Sequence, residues 1–228
     1  MKKKLIVLSG AGISAESGIS TFRDQNGLWE NHDIMEVASI EGWHKNPGLV
    51  LEFYNKRRAQ LKEVKPNQAH LDLKDLESLF DVYVITQNVD DLHERAGSSK
   101  ILHLHGELTK ACDSLDKSDI QTIGYKNIEL GDLNNKGHQI RPFIVWFGED
   151  VPAMDQAIEW VSSADILLII GTSMNVYPAA GLHKYAPQEC EKFLIDPKKI
   201  AVPNSVIHQI NETATIGMSI FKDLVRNH

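Results

Sequence analysis

Short apolar runs recur along the chain at residues 5–8, 82–86, 101–104, 143–145, 166–170 and 193–195. Segments with apolar residues at three- and four-residue spacing lie between several of them, and predict helices near 47–61, 70–80, 153–162, 178–185 and 216–226. Strand runs of this kind, alternating with amphipathic helices, predict an α/β fold: a doubly wound parallel sheet covered on both faces. The pattern breaks at 112–141, where turn formers such as Gly131-Asp132, Asn134-Asn135 and Lys136-Gly137 interrupt it. That stretch reads as a small inserted subdomain.

Composition narrows the picture. A chain of 228 residues with 42% hydrophobic content buries a sizeable core within one domain or one domain carrying an insertion. The formal charge of −7 argues against a nucleic-acid or anionic-membrane partner, which needs a basic face. Cys112 and Cys190 are too few for a disulfide framework and form no C-x-x-C pair. A reducing, cytoplasmic setting suits them. Lys2-Lys3-Lys4 before Leu5 looks like the start of a signal peptide, but the apolar run is short and enters a glycine loop, so it reads as a buried strand. No stretch approaches the roughly 20 apolar residues of a membrane span. A soluble monomer is expected.

The first strand run leads into Ser9-Gly10-Ala11-Gly12-Ile13-Ser14-Ala15, which satisfies G-x-G-x-x-A. Backbone amides of such a loop cradle a pyrophosphate. On the motif alone, a plain tight turn fits as well. An ordinary dinucleotide fold next supplies a strand ending in an acid about 20 residues on, whereas Gly18-Ile19-Ser20-Thr21-Phe22-Arg23-Asp24 reads as loop. Dinucleotide binding therefore stands without hydride-transfer architecture. An acid does follow the 193–195 run, at Asp196; a ribose contact and a turn aspartate are equally open.

Six segments in order resemble the sirtuin family: Gly10-Ala11-Gly12-Ile13-Ser14, Gly18 to Asp24, Gln87-Asn88-Val89-Asp90, Leu104-His105-Gly106, Val145-Trp146-Phe147-Gly148-Glu149 and Gly171-Thr172-Ser173. The resemblance implies a Rossmann-like domain with a small, usually zinc-bearing module, and NAD meeting acyl-lysine in the cleft between them. In that family's reaction the acyl oxygen attacks the ribose carbon bearing nicotinamide, and a histidine draws a proton from a ribose hydroxyl. Nicotinamide and O-acyl-ADP-ribose are released.

Carried onto this chain, the base falls on His105, at the end of a predicted strand where open sheets bind ligands. Alternation places His103 on the same face, and a structural histidine is the competing reading. Asn88 and Asp90 match the pair orienting the nicotinamide end, with Gln87 beside the ribose. Gly10, Ala11, Gly12, Ile13 and Ala15 would surround the diphosphate. Arg23 would support it through its planar fork, and Phe22 would shield the reactive sugar. Gly171, Thr172 and Ser173 would add phosphate contacts. The Val145, Phe147, Gly148, Glu149 edge and the segment holding Val176 resemble two edges between which an acylated peptide lies as an added strand.

On the 47–61 helix, Val50, Phe53, Tyr54, Arg57 and Leu61 share one face. An arginine there needs an anionic partner or a route to the surface. Tyr54 and Arg57 resemble the Tyr-x-x-Arg of the sirtuins that prefer succinyl- and malonyl-lysine. Residues 28–66 are thus expected to be a helical insertion carrying the acyl site, within a single catalytic domain spanning 1–228. Two departures stand out. The zinc-bearing module needs two C-x-x-C pairs, but here Leu115 follows Cys112 by three residues and the second pair is missing. No structural metal is expected, and 110–142 is expected to be held by Leu115, Ile120, Ile123, Tyr125, Ile128 and Leu133. Asp196 also stands where the family more often has asparagine. NAD hydrolysis or ADP-ribosyl transfer, and a lapsed NAD-binding sensor, are the competing functions. The joint presence of Asn88, Asp90 and His105 weighs against the sensor.

Overall fold

Lys4–Ser9 becomes the central strand because every residue from Leu5 to Ser9 can be buried, and a strand covered on both faces needs that continuous apolar run. In the computed structural model, which describes residues 2–20, 28–29, 32–200 and 207–226, this strand (β1) joins five others in one parallel sheet. They are β4 (Asp81–Thr86), β5 (Ile101–His103), β9 (Ile166–Ile170), β10 (Glu191–Ile195) and β11 (His208–Ile210), in the order β11-β10-β9-β1-β4-β5. The order reverses direction at β1, so a cleft opens beside the carboxyl end of that strand, as expected at a switch point.

Alternation splits the strand side chains between two cores. Leu5, Val7, Ile166, Leu168 and Ile170 pack against α4 (Gln68–Leu76) and α7 (Ala214–Val225) through Leu73, Leu76, Met218 and Phe221. Ile6, Leu8, Leu167 and Ile169 meet Ala157 and Val161 of α6 (Met154–Ser162) and Leu182 on the other face. Fully burying such side chains stabilises by about 1.5–3 kcal/mol each.

Side-chain caps start successive helices after β1. Asp33, after the two-residue pair β2 (Leu28–Trp29) and β3 (His32–Asp33), accepts from the Met35 amide at 2.8 Å and opens α1 (Ile34–Val37). Ser39 accepts from Gly42 at 2.9 Å in α2 (Ile40–Lys45), and Asn46 from Leu49 at 3.1 Å, with Pro47 at the first position of α3 (Pro47–Glu63). The short α5 (Leu92–Ala96) follows the β4 loop. Val37, Trp43, Val50, Phe53, Tyr54 and Leu61 form a third core with Leu108, Ile128, Ile144 and Trp146.

Several expectations change. The 143–145 run does not enter the parallel sheet: β8 (Ile140–Ile144) pairs antiparallel with β6 (Gly106–Asp113), which also pairs with β7 (Ile120–Thr122). The 178–185 segment is a 3-10 helix, Ala179–Tyr185, and α4 ends at Leu76. Nor do the six apolar residues assigned to the small subdomain form its core. Ile128 is buried and Ile123 partly so, while Leu115 is 77% exposed and Ile120, Tyr125 and Leu133 also face outward.

Polar side chains pin that segment instead. Buried Asp113 accepts from the Leu115 amide, Asn134 and the His138 ring, each at 2.8 Å. Burial alone would raise the Asp113 carboxyl, but these donors hold it well below the usual carboxylate range. From α3, Asn55 brackets the Ile128 backbone at 2.9 and 3.0 Å, and fully buried Arg58 donates to the Lys126 carbonyl at 3.0 Å.

Candidate functional site

The carboxyl ends of β1, β4, β9 and β10 open into one cleft of about 2230 Å³. That exceeds the ~300–1,000 Å³ of an ordinary small-molecule site and leaves room for two ligands side by side. Its floor is the glycine loop. The Gly10 amide donates to Ile170 O at 3.0 Å and the Gly12 amide to Gly171 O at 2.8 Å, so the loops after β1 and β9 lie backbone against backbone. A Cβ on Gly12 would sit 2.6 Å from Gly171 Cα, and one on Gly10 2.8 Å from Gly171 O. The glycines are thus required for loop to touch loop, and the resulting shallow floor, with Ala11 and Ala15 along it, suits a diphosphate. Ile13 departs from its expected place: its side chain is in the core and its amide is taken by Gly10 O.

The loop after β4 supplies the polar wall. The Asn88 amide donates to Thr86 Oγ1 at 3.0 Å, and the Gln87 side chain donates to Thr172 Oγ1 at 3.1 Å, joining this wall to the β9 loop. Ser14 Oγ accepts from Asn88 Nδ2 at 3.1 Å and donates to Asp90 Oδ2 at 3.0 Å. Ser14 stood in the quoted glycine motif without a role, yet it is the buried link between that motif and the Asn88/Asp90 pair. Burial pushes the Asp90 carboxyl up to about 6, against the opposing bonds from Leu92 N and Ser14.

His105 lines the cleft opposite the glycine loop. Its Nδ1 lies 3.0 Å from Gln87 O, and a carbonyl only accepts, so Nδ1 carries the proton and Nε2 keeps its lone pair. Burial lowers the imidazole below its ordinary value, outweighing the bond to Gln87. The ring is therefore neutral near pH 7, with a basic nitrogen available. His103 follows the same geometry one pleat earlier, Nδ1 to Asn88 O at 2.9 Å, but its Nε2 meets Glu94 at 2.7 Å. Burial works against its charged form, yet Glu94 raises it above the ordinary value, so the structural reading belongs to His103.

On the side of α3, Tyr54 and Arg57 both line the cleft. Tyr54 is fully buried, its hydroxyl accepting from Trp146 Nε1 at 2.9 Å, and burial raises its phenol. Arg57 is half-buried with its guanidinium 5.1 Å from the Phe53 ring centre. The neighbouring Arg58, unmarked in the sequence reading, is the structural arginine, its guanidinium lowered to about 10 by burial.

Val145, Phe147, Gly148 and Glu149 form one rim and Val176 stands on the other. The Glu149 carboxylate is occupied internally: it accepts from the Trp146 amide at 2.9 Å and pairs with buried Arg141 at 2.8 Å, so it anchors the rim. Asp196, 1% exposed, closes the far end and accepts from the Lys198 amide at 3.0 Å, the turn-aspartate geometry. Thr172 and Ser173 line the cleft beside Gly171; Phe22 and Arg23 lie outside the described residues.

Glycine floor, polar wall and the neutral imidazole together fit the diphosphate and ribose parts of NAD. The chain is similar to known proteins in sequence and in fold. Residues 10–178 match the Sir2 family. The chain is 53% identical to an NAD-dependent protein deacylase of Bacteroides thetaiotaomicron, over 98% of each chain. It is 56% identical to one of Helicobacter pylori, covering 95% of this chain and 94% of the other. Among solved structures, a Sir2 homologue–NAD complex superposes with TM-score 0.88 at 35% identity, covering 99% of this chain and 90% of that one. A Sir2–p53 peptide–NAD+ structure superposes with TM-score 0.80 at 27% identity, covering 100% and 95%.

Proposed function

This chain belongs to the Sir2 family, and from that premise we propose that it removes acyl groups from protein lysines in an NAD-dependent reaction, preferring succinyl and malonyl over acetyl. NAD, when bound, supplies the ribose carbon that exchanges nicotinamide for the acyl oxygen. Gln87, Asn88 and Asp90, cross-linked through Thr172 and Ser14, hold the ribose and nicotinamide end against the polar wall. His105 Nε2 accepts the ribose hydroxyl proton, its tautomer set by Gln87 O. Excluding bulk water from this end is the task of the α3 side of the cleft, whose Tyr54 ring is wholly buried. The observation that carries the reaction class is this neutral, oriented imidazole facing a glycine floor.

The acidic-acyl preference rests on Tyr54 and Arg57. They are one helical turn apart on the inward face of α3, and both reach the cleft. A carboxylate-ended acyl chain entering beside the rim would meet a guanidinium and a phenol in a largely dry wall, where charge-assisted bonds are strongest.

We also infer that the family's zinc module is absent. Cys112 is buried in β6, and the other cysteine, Cys190, precedes β10 in another part of the fold. Among the described residues, the one group of metal-type donors brought within 4.8 Å of one another is Glu94, His103 and Glu107, which has no cysteine and lies outside 110–142. The donor set does not fit a tetrahedral thiolate site.

The test is turnover of matched acetyl-, succinyl- and malonyl-lysine peptides with NAD, following peptide mass. Succinyl and malonyl groups should leave fastest. Arg57→Met should cut their kcat/KM by about 10- to 150-fold, the loss of roughly 1.5–3 kcal/mol of charge-assisted bonding, and leave acetyl removal within about threefold. Equal wild-type rates for the three peptides would remove the acidic preference while leaving the deacylase reading in place.

A further inference from the structure

The far end of the cleft is closed by two segments distant in sequence: the 3-10 turn after the glycine loop and the first turn of α7. Glu16, on that 3-10 turn, accepts from the Thr215 amide at 2.9 Å, from Thr215 Oγ1 at 2.7 Å and from Thr213 Oγ1 at 3.2 Å. Thr213 is the N-cap residue of α7 but makes no side-chain bond to its own helix; its hydroxyl is turned to Glu16. The cap of α7 is thus supplied from the turn that follows the glycine loop, Glu16 lying 199 residues from Thr215 along the chain.

Glu16, Thr213 and Ala214 all line the cleft, beside Asp196 and Lys198 at the end of β10. The rest of α7 has little freedom: Met218 and Phe221 are in the core, and a Cβ on Gly217 would sit 2.3 Å from the Ile195 side chain. What Glu16 governs is therefore the first turn of α7 and its distance from the glycine floor. The adenosine half of the dinucleotide is the part that must reach this end, since the ribose bearing nicotinamide is held at Asn88, Asp90 and His105.

We propose that Glu16 is a positioning residue for the adenosine diphosphate half of NAD, fixing the α7 wall against the glycine loop by capping that helix across the cleft. Its carboxylate acts through Thr213 and Thr215 and need not touch the ligand. The inference rests on the cofactor reading above.

The test is calorimetric binding of ADP-ribose, which carries the adenosine diphosphate and does not react, alongside KM for NAD and for succinyl-lysine peptide. Glu16→Ala should weaken ADP-ribose binding about tenfold and raise KM for NAD by a similar factor, with kcat and peptide KM within about twofold. Glu16→Gln, which retains an acceptor for the Thr215 amide, should recover most of the loss, and Thr215→Val should lose part of it. Unchanged ADP-ribose affinity in Glu16→Ala would overturn the proposal, as would equal losses in peptide and ADP-ribose binding, which mark a general defect. Failure of the wild-type protein to bind ADP-ribose would overturn the cofactor reading itself, and this inference with it.

Discussion

Three histidines show how one residue type is assigned different work by its second nitrogen. His103 gives both ring nitrogens to the protein, Asn88 O and Glu94, and becomes a strut. His105 gives one, to Gln87 O, and retains a basic nitrogen in the cleft. His70 also gives one, to Asn67 Oδ1, but it is fully buried, its Nε2 has no partner among the described residues, and its ring centre lies 4.9 Å from that of equally buried His93. Burial lowers His70 to about 4 and holds His93 well below its ordinary value. Both folded values lie under the unfolded one of about 6.5, so the unfolded chain takes up protons first as pH falls. The stability present above pH 6.5 is then lost toward pH 4, at up to about 1.4 kcal/mol per pH unit for each ring. Asp90 and His103, both raised, work in the opposite sense. With these opposing groups present in both proteins, His70→Asn should lose less melting temperature between pH 7 and pH 5 than the wild type, and equal losses would contradict this account of His70.

Much at this scale was legible beforehand, because it is local. The glycine loop, Gln87 to Asp90, His105 and the Tyr54/Arg57 pair each follow or share one element, so spacing along the chain finds them. What was missed depends on partners far away. Ser14 matters through residues 74 and 76 positions later, and Glu16 through ones 197 and 199 positions later. Arg58 was hidden because, besides Asn55 on its own helix, its partner is a backbone carbonyl at Lys126, 68 positions later, which carries no residue-type signal. Ile13 and Glu149 went the other way: each sits in a motif that borders the cleft, but its side chain serves packing or an internal ion pair.

Elements read well where the run was long and apolar. β1, β4, β9 and β10 fall where the pattern put them, since two-sided burial requires such runs. The 143–145 run looked the same locally, but whether a strand pairs in parallel or antiparallel is decided by the chain's return path, and β8 returns from a turn directly onto β6. β11 was invisible: three residues, His208, Gln209 and Ile210, at the sheet edge carry almost no pattern. The small subdomain is the instructive case. Its apolar residues are mostly outside, and its order comes from Asp113, Asn134 and His138 together with Asn55 and Arg58 reaching across from α3. Prolonged EDTA treatment should therefore leave the melting temperature unchanged, while Asp113→Ala, which strands three donors, should lower it and raise amide exchange in 113–140 first. A chelator-sensitive melt would contradict this account of the subdomain.

At the scale of the whole molecule, the cleft exists because three cores meet around it. Two sheet faces fix the strand ends, and the third core, shared by the helices of 34–63 and the antiparallel strands, sets Tyr54, Arg57 and the Val145–Phe147 rim opposite them. On the proposed reading, one side takes the dinucleotide and the other the acyl-lysine side chain, so chemistry requires both to be occupied. The most direct test of that claim is the stoichiometry of nicotinamide release in the wild type and in His105→Ala. With NAD and succinyl-lysine peptide together, the wild type should release one nicotinamide per acyl group removed, and almost none with NAD alone. His105→Ala should turn over at least about 100-fold more slowly, the lower end of what a general base contributes. Nicotinamide released at full rate without peptide, or acyl removal undiminished in His105→Ala, would contradict the account.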